Sequence, residues 1–375
     1  MKKLTFITSL FLVLGSLFNA ASAQQDPTAE ELAEQQKVAD GIRAMMLTSK
    51  AFRAASEKVK PWLVTIESFG GVSTVQGKIG GIRKQGEGNT TGIVISEDGY
   101  ILTSTFNFVR RPPIITIRTM DGQRHVADLI GRDKTRKISL LKLREPVEGL
   151  AVPELVDPDD LVVGQWAISV GVGFGDSNPA VSKGIVSATN RISGRAIQTD
   201  ANVSPANYGG PLVDIEGRLI GVCVPMNPQS QAVGAGVEWY DSGIGFAIPL
   251  HGLEDLIERL KNGEDIQPAF LGVRTAPAPK GRPGVMVEEV VEDTAAAEAG
   301  IEKGNLILGI EGTKIKDLIQ LRQTLSRFEA GQEIEVEVQV SVEDGDDEEK
   351  TVTVTLGAPP APKEEGPQIE PPKIR

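Results

Sequence analysis

"SPANYGGPLVD", residues 204–214, packs a whole local fold into eleven letters. Gly209-Gly210-Pro211 is a tight loop, because two residues without side chains let the chain bend hard and approach neighbouring backbone. Leu212-Val213 begins a short apolar strand, and Glu216-Gly217 turns it back. "RLIGVCVP" (218–225) then returns as a second apolar strand. A loop, strand, turn and strand in this order belong to a β architecture. The residue just before the glycines is Tyr208.

The same pattern spreads in both directions. From Pro61 to Pro249, short β-rich runs alternate with Gly, Pro and Asp turns. The runs are "WLVTIESF", "TTGIVIS", "YILTSTF", "PIITIRT", "HVADLIG", "ISLLKLR", "QWAISVGVG", "SKGIVSAT", "RAIQTD", "PLVDIEG", "RLIGVCVP" and "GIGFAIP". Regular short strands with turn signals predict a closed β barrel or sandwich. The Gly-rich stretch from Ser68 to Gly92 reads as a loop and has no phosphate-binding pattern.

Before the strands, residues 24–59 read as helical. Thr28 and Glu31 suit a capping box behind Pro27, and an interruption is expected near Thr48-Ser49. The bland reading is an amphipathic cover for a core, the sharper one an oligomerisation arm. Still earlier, Lys2 and Lys3, the apolar run Leu4–Phe18 and Ala21-Ser22-Ala23 compose a secretory signal, predicted to be residues 1–23. The apolar run is short for a span, so the chain is expected to be exported, periplasmic or extracellular, with no membrane span after cleavage.

After Pro249 the period changes. "PLHGLEDLIERLKNGEDI" predicts a linker helix over 251–267, stopping near Asn262-Gly263. A smaller α+β unit follows over 268–357, with alternating strands "EIEVEVQVSV" and "KTVTVTL" closing it around the turn "EDGDDEE". The tail from 358 to 375 is Pro-rich and expected to be disordered.

Composition narrows the function. A chain of 375 residues fits two domains at roughly 100 to 200 residues each. Net charge is −12 with a pI of 4.9, which argues against nucleic acid and anionic membrane surfaces. The single cysteine, Cys223, precludes an internal disulfide and sits in an apolar run, as a buried small hydrophobe would. Only His125 and His251 are available for imidazole chemistry, read as solvent-facing or capping residues, and no metal site or cofactor is expected.

Several stretches together resemble the HtrA/DegP family, in that family's order. They are "TTGIVISEDGYILTSTF", "DKTRKISLLKL", "VGQWAISVGVGFG", "SKGIVSATNR", "TDANVSPANYGGPLVDIEGRLIGV", "GIGFAIPL", and, in the second unit, "FLGV" and "TAAAEAGIEKGNLILGIEGTKI". The resemblance implies a mostly β chain with an N-terminal helical segment (24–59). A trypsin-like double β-barrel (60–250), the linker helix and a PDZ domain (268–357) would follow. It also implies a Ser-His-Asp triad, whose three positions fall on Tyr208, Phe106 and Lys137 here. A phenyl ring accepts no proton, a lysine repels an imidazolium, and a tyrosine without a base stays protonated near neutrality. The oxyanion loop is altered too: Ala206 before Asn207 replaces the family's glycine, and alanine tolerates positive φ poorly. Ser104, Thr105, Asp200 and Ser204 lie on the matching loops with no histidine beside them.

The PDZ resemblance implies a groove that takes an extended peptide as an added strand and holds its carboxylate on backbone N–H groups. Phe270, Leu271, Gly272 and Val273 would form the carboxylate loop, and Leu318, Leu321 and Leu325 the helical wall. The expected partners are peptide C-termini or unfolded polypeptides, within a homo-trimer or mixed oligomer. Two functions stand: a non-catalytic, exported peptide-binding scaffold, chaperone-like holder or regulatory subunit, and a serine endopeptidase of protein quality control.

Overall fold

The computed structural model describes residues 29–69, 90–108, 112, 114–173, 178–227, 242–340 and 347–360. The signal sequence, the Gly-rich stretch, most of the "EDGDDEE" turn and nearly all of the Pro-rich tail lie outside these residues.

The twelve runs form two closed barrels. The first comprises β1 (Leu63–Phe69), β2 (Thr90–Val94), β3 (Tyr100–Ser104), β4 (Ile114–Thr119), β5 (Arg124–Asp133) and β6 (Ile138–Leu143). Their order is β5-β4-β1-β2-β3-β6, and β6 pairs back onto β5 to close the ring. The second joins β7 (Trp166–Gly171), β8 (Ala180–Asn190), β9 (Ala196–Thr199), β10 (Pro211–Val213), β11 (Leu219–Val224) and β12 (Gly245–Ile248) in the ring β10-β11-β12-β9-β8-β7. Closure removes exposed strand edges and leaves inward side chains to fill each lumen. Ile66, Ile93, Ile101, Leu140 and Leu141 are buried in the first barrel. Leu212, Val186, Ile197 and Cys223 are buried in the second.

The N-terminal helix α1 (Ala29–Val59) runs unbroken, so the expected interruption at Thr48-Ser49 is not there. The Thr48 hydroxyl donates back to the Ala44 carbonyl at 3.0 Å, which lets a β-branched residue sit inside a helix. Its last turns place Ala55 and Val59 in the barrel core.

The linker helix α2 (Glu254–Lys261) is shorter than expected. Gly252 and Gly263 flank it at positive φ, and Asp265–Ile266 adds to β5 as the parallel strand β13. The second unit is one sheet of β14 (Val273–Pro277), β15 (Val285–Val290), β16 (Leu306–Ile310), β18 (Glu333–Val340) and β19 (Glu348–Thr355), with β17 (Thr313–Lys314) paired to β16. The helices α3 (Ala295–Glu298) and α4 (Leu318–Leu325) complete its own core around Val285, Ile310, Val336 and Val354. The fold is mostly β, with a double barrel, an α+β unit and an N-terminal helix, as the sequence implied.

Charged groups tie the α+β unit to the first barrel. Glu329 receives hydrogen bonds from Arg136 at 3.0 Å and Arg259 at 2.9 Å, while Arg136 also holds the fully buried Asp133 at 2.7 Å.

Candidate active-site cleft and peptide groove

The cleft is assembled from one turn of each barrel. β3 ends in a 3-10 turn, Thr105–Asn107, whose first residue is preceded by Ser104; the Ser104 hydroxyl caps it by accepting from Phe106 N–H at 3.2 Å. The Lys137 carbonyl accepts from Thr105 N–H at 2.9 Å and from the Ser104 hydroxyl at 3.3 Å. Across the gap, the turn before β10 presents Tyr208. The Phe106 and Tyr208 rings meet edge to face, centroids 5.1 Å apart at 70°. All three residues singled out in the sequence therefore converge, and each is buried: Phe106 at 3%, Lys137 at 4% and Tyr208 at 2% exposure. Lys137 holds φ +58°, a left-handed value uncommon outside glycine.

The loop backbone is committed to itself. Asn207 N–H and Tyr208 N–H both donate to the Ser204 carbonyl, at 2.9 and 3.0 Å. Ala206 N–H donates to the Ser204 hydroxyl at 3.3 Å, and Ala206 is not among the residues with positive φ. An oxyanion hole needs such donors aimed at the reacting oxygen. Here they close a turn. The Ala206 carbonyl is tied down as well, accepting from Thr91 Oγ1 at 3.0 Å and from Gly173 N–H at 2.9 Å. Beside Tyr208, a cavity of about 10 Å³ remains, lined by Val203, Met226, Ile244 and Phe246. That is room for about one water.

Two asparagines hold this arrangement: Asn207, which the sequence placed in the oxyanion loop, and Asn107, which it did not single out as a site residue. Asn207 donates to Ser169 Oγ at 2.6 Å and accepts from Ser204 N–H at 2.6 Å. Asn107 donates to Thr103 Oγ1 at 3.0 Å and to the Tyr208 carbonyl at 3.4 Å. Their roles depend on loops brought together from distant strands, so no local pattern announces them. The alternative nucleophiles and acids are used structurally: Ser104 and Ser204 as above, and Asp200 accepting from Ile185 N–H at 2.6 Å. His251 is exposed in the turn before α2. His125 faces Ile117 across β4 and β5 and is part-buried, with Nε2 out of contact with water, so it is less solvent-facing than expected. Among the described residues, no cluster of His, Cys, Asp and Glu has the arrangement to hold a metal ion.

In the α+β unit, β14 is the edge of the sheet. The loop before it turns at Gly272, φ +87°, where a Cβ would run into the Thr294 side chain. Phe270 and Val273 are part-exposed, whereas Leu271 is 3% exposed and its carbonyl accepts from Ala296 N–H. On α4, Leu321 points into the core at 4% exposure and Leu318 and Leu325 pack against that core. The three leucines at helical spacing mark the buried stripe, while Ile319, passed over in the sequence, is 67% exposed.

Residues 90–222 match the model of the trypsin-like peptidase domain, and residues 269–356 that of the PDZ domain. A probable periplasmic serine endoprotease DegP-like from Halomonas elongata is 31% identical over 259 residues, 65% of this chain and 52% of that protein. The chain belongs to the HtrA/DegP family. The periplasmic pH-dependent serine endoprotease DegQ of Escherichia coli is 32% identical over 265 residues, 66% of this chain and 56% of its own. The chain thus spans about half the length of these HtrA-family relatives. Among solved structures, HtrA-type protease AlgW with tripeptide superposes with a TM-score of 0.59 at 26% identity, covering 83% of this chain and 98% of that one.

Proposed function

We propose that this HtrA-family chain is exported to the periplasm, binds peptide C-termini or unfolded polypeptide through its PDZ domain, and does not cleave peptide bonds at its barrel cleft. The observation that carries the reading is the Phe106–Tyr208 ring pair, buried where a substrate carbonyl and its nucleophile would meet. Acyl transfer requires a proton acceptor beside the nucleophile and free N–H donors for the oxyanion. At these positions a ring stands for the acceptor, and the donors are bonded to Ser204. Triad members act as a unit, so replacing all three removes nearly the whole rate enhancement.

The PDZ side of the reading rests on the free edge of β14 beside α4 and on the solved AlgW, whose name records a bound tripeptide. A periplasmic address fits the names of the relatives, and no described helix is long and apolar enough to cross a membrane. Domain limits of 60–250 for the barrels and 268–357 for the PDZ domain belong to the same proposal, as does a family-type oligomer.

The relatives' names favour a second reading, a serine endopeptidase of protein quality control. Incubation of the chain with unfolded casein separates the two, with the triple variant Phe106→His, Lys137→Asp, Tyr208→Ser run beside it. The expected result is no peptide release from the natural chain, and measurable release from the triple variant once Ala206→Gly is added to let the loop donors turn to the oxyanion. Casein cleavage by the natural chain, or its labelling by a serine-reactive phosphonate, would establish the endopeptidase instead.

A further inference from the structure

The end of the first barrel opposite the cleft holds a recess that the proposed function does not use. β6 starts at Ile138, paired with Ser104 beside the cleft, and ends at Leu143, paired with Ala127 of β5. At that far end, the β4–β5 turn, the segment 145–150 after β6 and Pro61 ahead of β1 surround about 510 Å³. That volume lies within the roughly 300–1,000 Å³ of small-molecule sites, whereas the cleft beside Tyr208 keeps about 10 Å³. No residue of the cleft turns or of the PDZ unit lines the recess.

The lining is apolar where it meets the barrel and anionic where it meets water. Met120, Val147 and Leu150 are half-buried and pack on the barrel core. Asp121, Glu145 and Glu148 are exposed, and no lysine or arginine joins them in the lining. Neighbouring guanidinium groups are committed elsewhere: Arg144 to Asp128 at 2.7 Å, and Arg118 and Arg124 to Glu67 at 3.2 Å each. The Glu145 and Glu148 carboxylates make no hydrogen bond or ion pair among the described residues. Asp121 is charged as well, because hydrogen bonds from the Thr119 hydroxyl and Gln123 N–H hold its carboxyl below the ordinary carboxylate range.

A recess walled by one sign of charge repels anions and concentrates cations. Its carboxylates do not converge on a point: among the described residues, no group of His, Asp and Glu is arranged to hold a metal ion. The cation that fits is an extended one, with its charge on a carbon chain that apolar side chains can cover.

His125 is a second, independent sign of a ligand. Its side chain lines the recess, and its Nε2 is out of contact with water and has no hydrogen-bond partner. A polar atom left so costs free energy that a ligand can recover. The χ2 torsion of an imidazole is broad, and a turn about it presents the ring's acceptor nitrogen to an N–H donor in the recess.

We propose that this recess binds an alkylammonium ion, its carbon chain on Met120, Val147 and Leu150 and its N–H groups on Glu145, Glu148 and His125. Two sources carry that chemistry, a free aliphatic diamine and the lysine side chain of a polypeptide. The site is separate from both the cleft and the peptide groove, so it stands whether or not the functional reading above survives.

The two histidines make the test direct. In the full chain carrying isotope-labelled histidine, His125 and His251 each give one imidazole signal by nuclear magnetic resonance, assigned with His125→Phe. Cadaverine and a short lysine peptide blocked at both ends are titrated separately, with calorimetry alongside. Salt is kept at about 0.15 M, where loose surface attraction is screened over about 8 Å. The blocked carboxyl keeps the peptide off the carboxylate loop of the PDZ groove. The expected result is a saturable shift of the His125 signal with His251 unmoved, and none from the matching neutral diol. Glu145→Gln with Glu148→Gln should weaken binding at least about tenfold, as loss of charge-assisted hydrogen bonds does, and leave the melting temperature unchanged. A shift by cadaverine alone supports the proposal with a free amine as ligand, a shift by the peptide alone with a lysine side chain, and a shift by both with either. An equal shift from the diol or from calcium would overturn it, and so would binding that the double Gln variant leaves intact. Heat of binding without a His125 shift would place the amine elsewhere and overturn it too, as would no binding by either readout.

Discussion

At residue 208 a catalytic question becomes a packing question. Tyr208 and Phe106 sit in one buried cluster with Val156, Ala167, Ile197 and Leu212, so they now belong to the core of the second barrel. Large aromatic side chains dominate such cores, and an edge-to-face pair adds about 0.5–1.5 kcal/mol beyond area burial. A double-mutant cycle of Phe106→Leu and Tyr208→Leu, read by denaturant unfolding, should therefore return a coupling of that size. Each single change should cost about 1–3 kcal/mol, as buried large-to-smaller substitutions do. Additive effects would mean the rings share no contact worth the name and that the cleft is looser than the geometry implies. The same logic warns against Tyr208→Ser alone: it opens a cavity beside Phe106 without supplying a base.

At the scale of elements, the loop that first identified the fold owes its glycines to packing rather than to chemistry. Gly209 takes φ +85°, and a Cβ there would collide with Thr103 Oγ1 and the Thr91 carbonyl. A Cβ on Gly210 would strike the Val170 carbonyl. The flanking backbone is bonded to β11, with Gly209 N–H donating to the Cys223 carbonyl and Cys223 N–H donating to the Gly210 carbonyl, both at 2.8 Å. Gly209→Ala should then destabilise by about 2–4 kcal/mol, through positive φ and a clash with backbone, whatever stands at 208. A melting temperature unchanged by that substitution would show that the turn can relax.

This explains what the sequence could and could not yield. Turn glycines and period-2 runs are local, so all twelve barrel strands were legible from "WLVTIESF" to "GIGFAIP". The commitment of Ala206, Asn207 and Tyr208 N–H groups to Ser204 was not, because it is a property of backbone geometry. Helical periodicity likewise named Leu318, Leu321 and Leu325 correctly as one stripe. It could not tell that Leu321 faces the core, because groove wall and core line share the same spacing.

At the scale of the whole molecule, the barrel and the PDZ unit meet on a charged cluster that is itself half-buried. Burial alone would raise Glu329, but hydrogen bonds from Arg259 and Arg136 outweigh it and hold its carboxyl below the ordinary value of 4.5. Arg195 stands close by with its own basicity reduced, first by burial and then by Arg136. Three guanidinium groups therefore share two carboxylates, Asp133 and Glu329. A carboxyl with a depressed folded pKa stabilises fully above the unfolded value, and that contribution is lost as pH falls through the folded one. Glu329 thus contributes at neutral pH and fades below about pH 4.5, and Glu67, lowered by Arg124 and Arg118 against the effect of burial, behaves alike. Replacing Glu329 with Gln leaves the cluster with an excess of positive charge and should cost about 2–3 kcal/mol at pH 7. That is below the usual figure for a broken buried pair because Arg259 remains 41% exposed. Melting curves from pH 7 down to pH 3 should then show a shallower acid decline for Glu329→Gln than for the natural chain, the two converging once Glu329 is protonated. Parallel declines at every pH would mean that Glu329 titrates alike in the folded and unfolded chain. The junction would then be held by the Ser193–Ser326 hydroxyl contact at 2.7 Å, with the ion cluster a bystander.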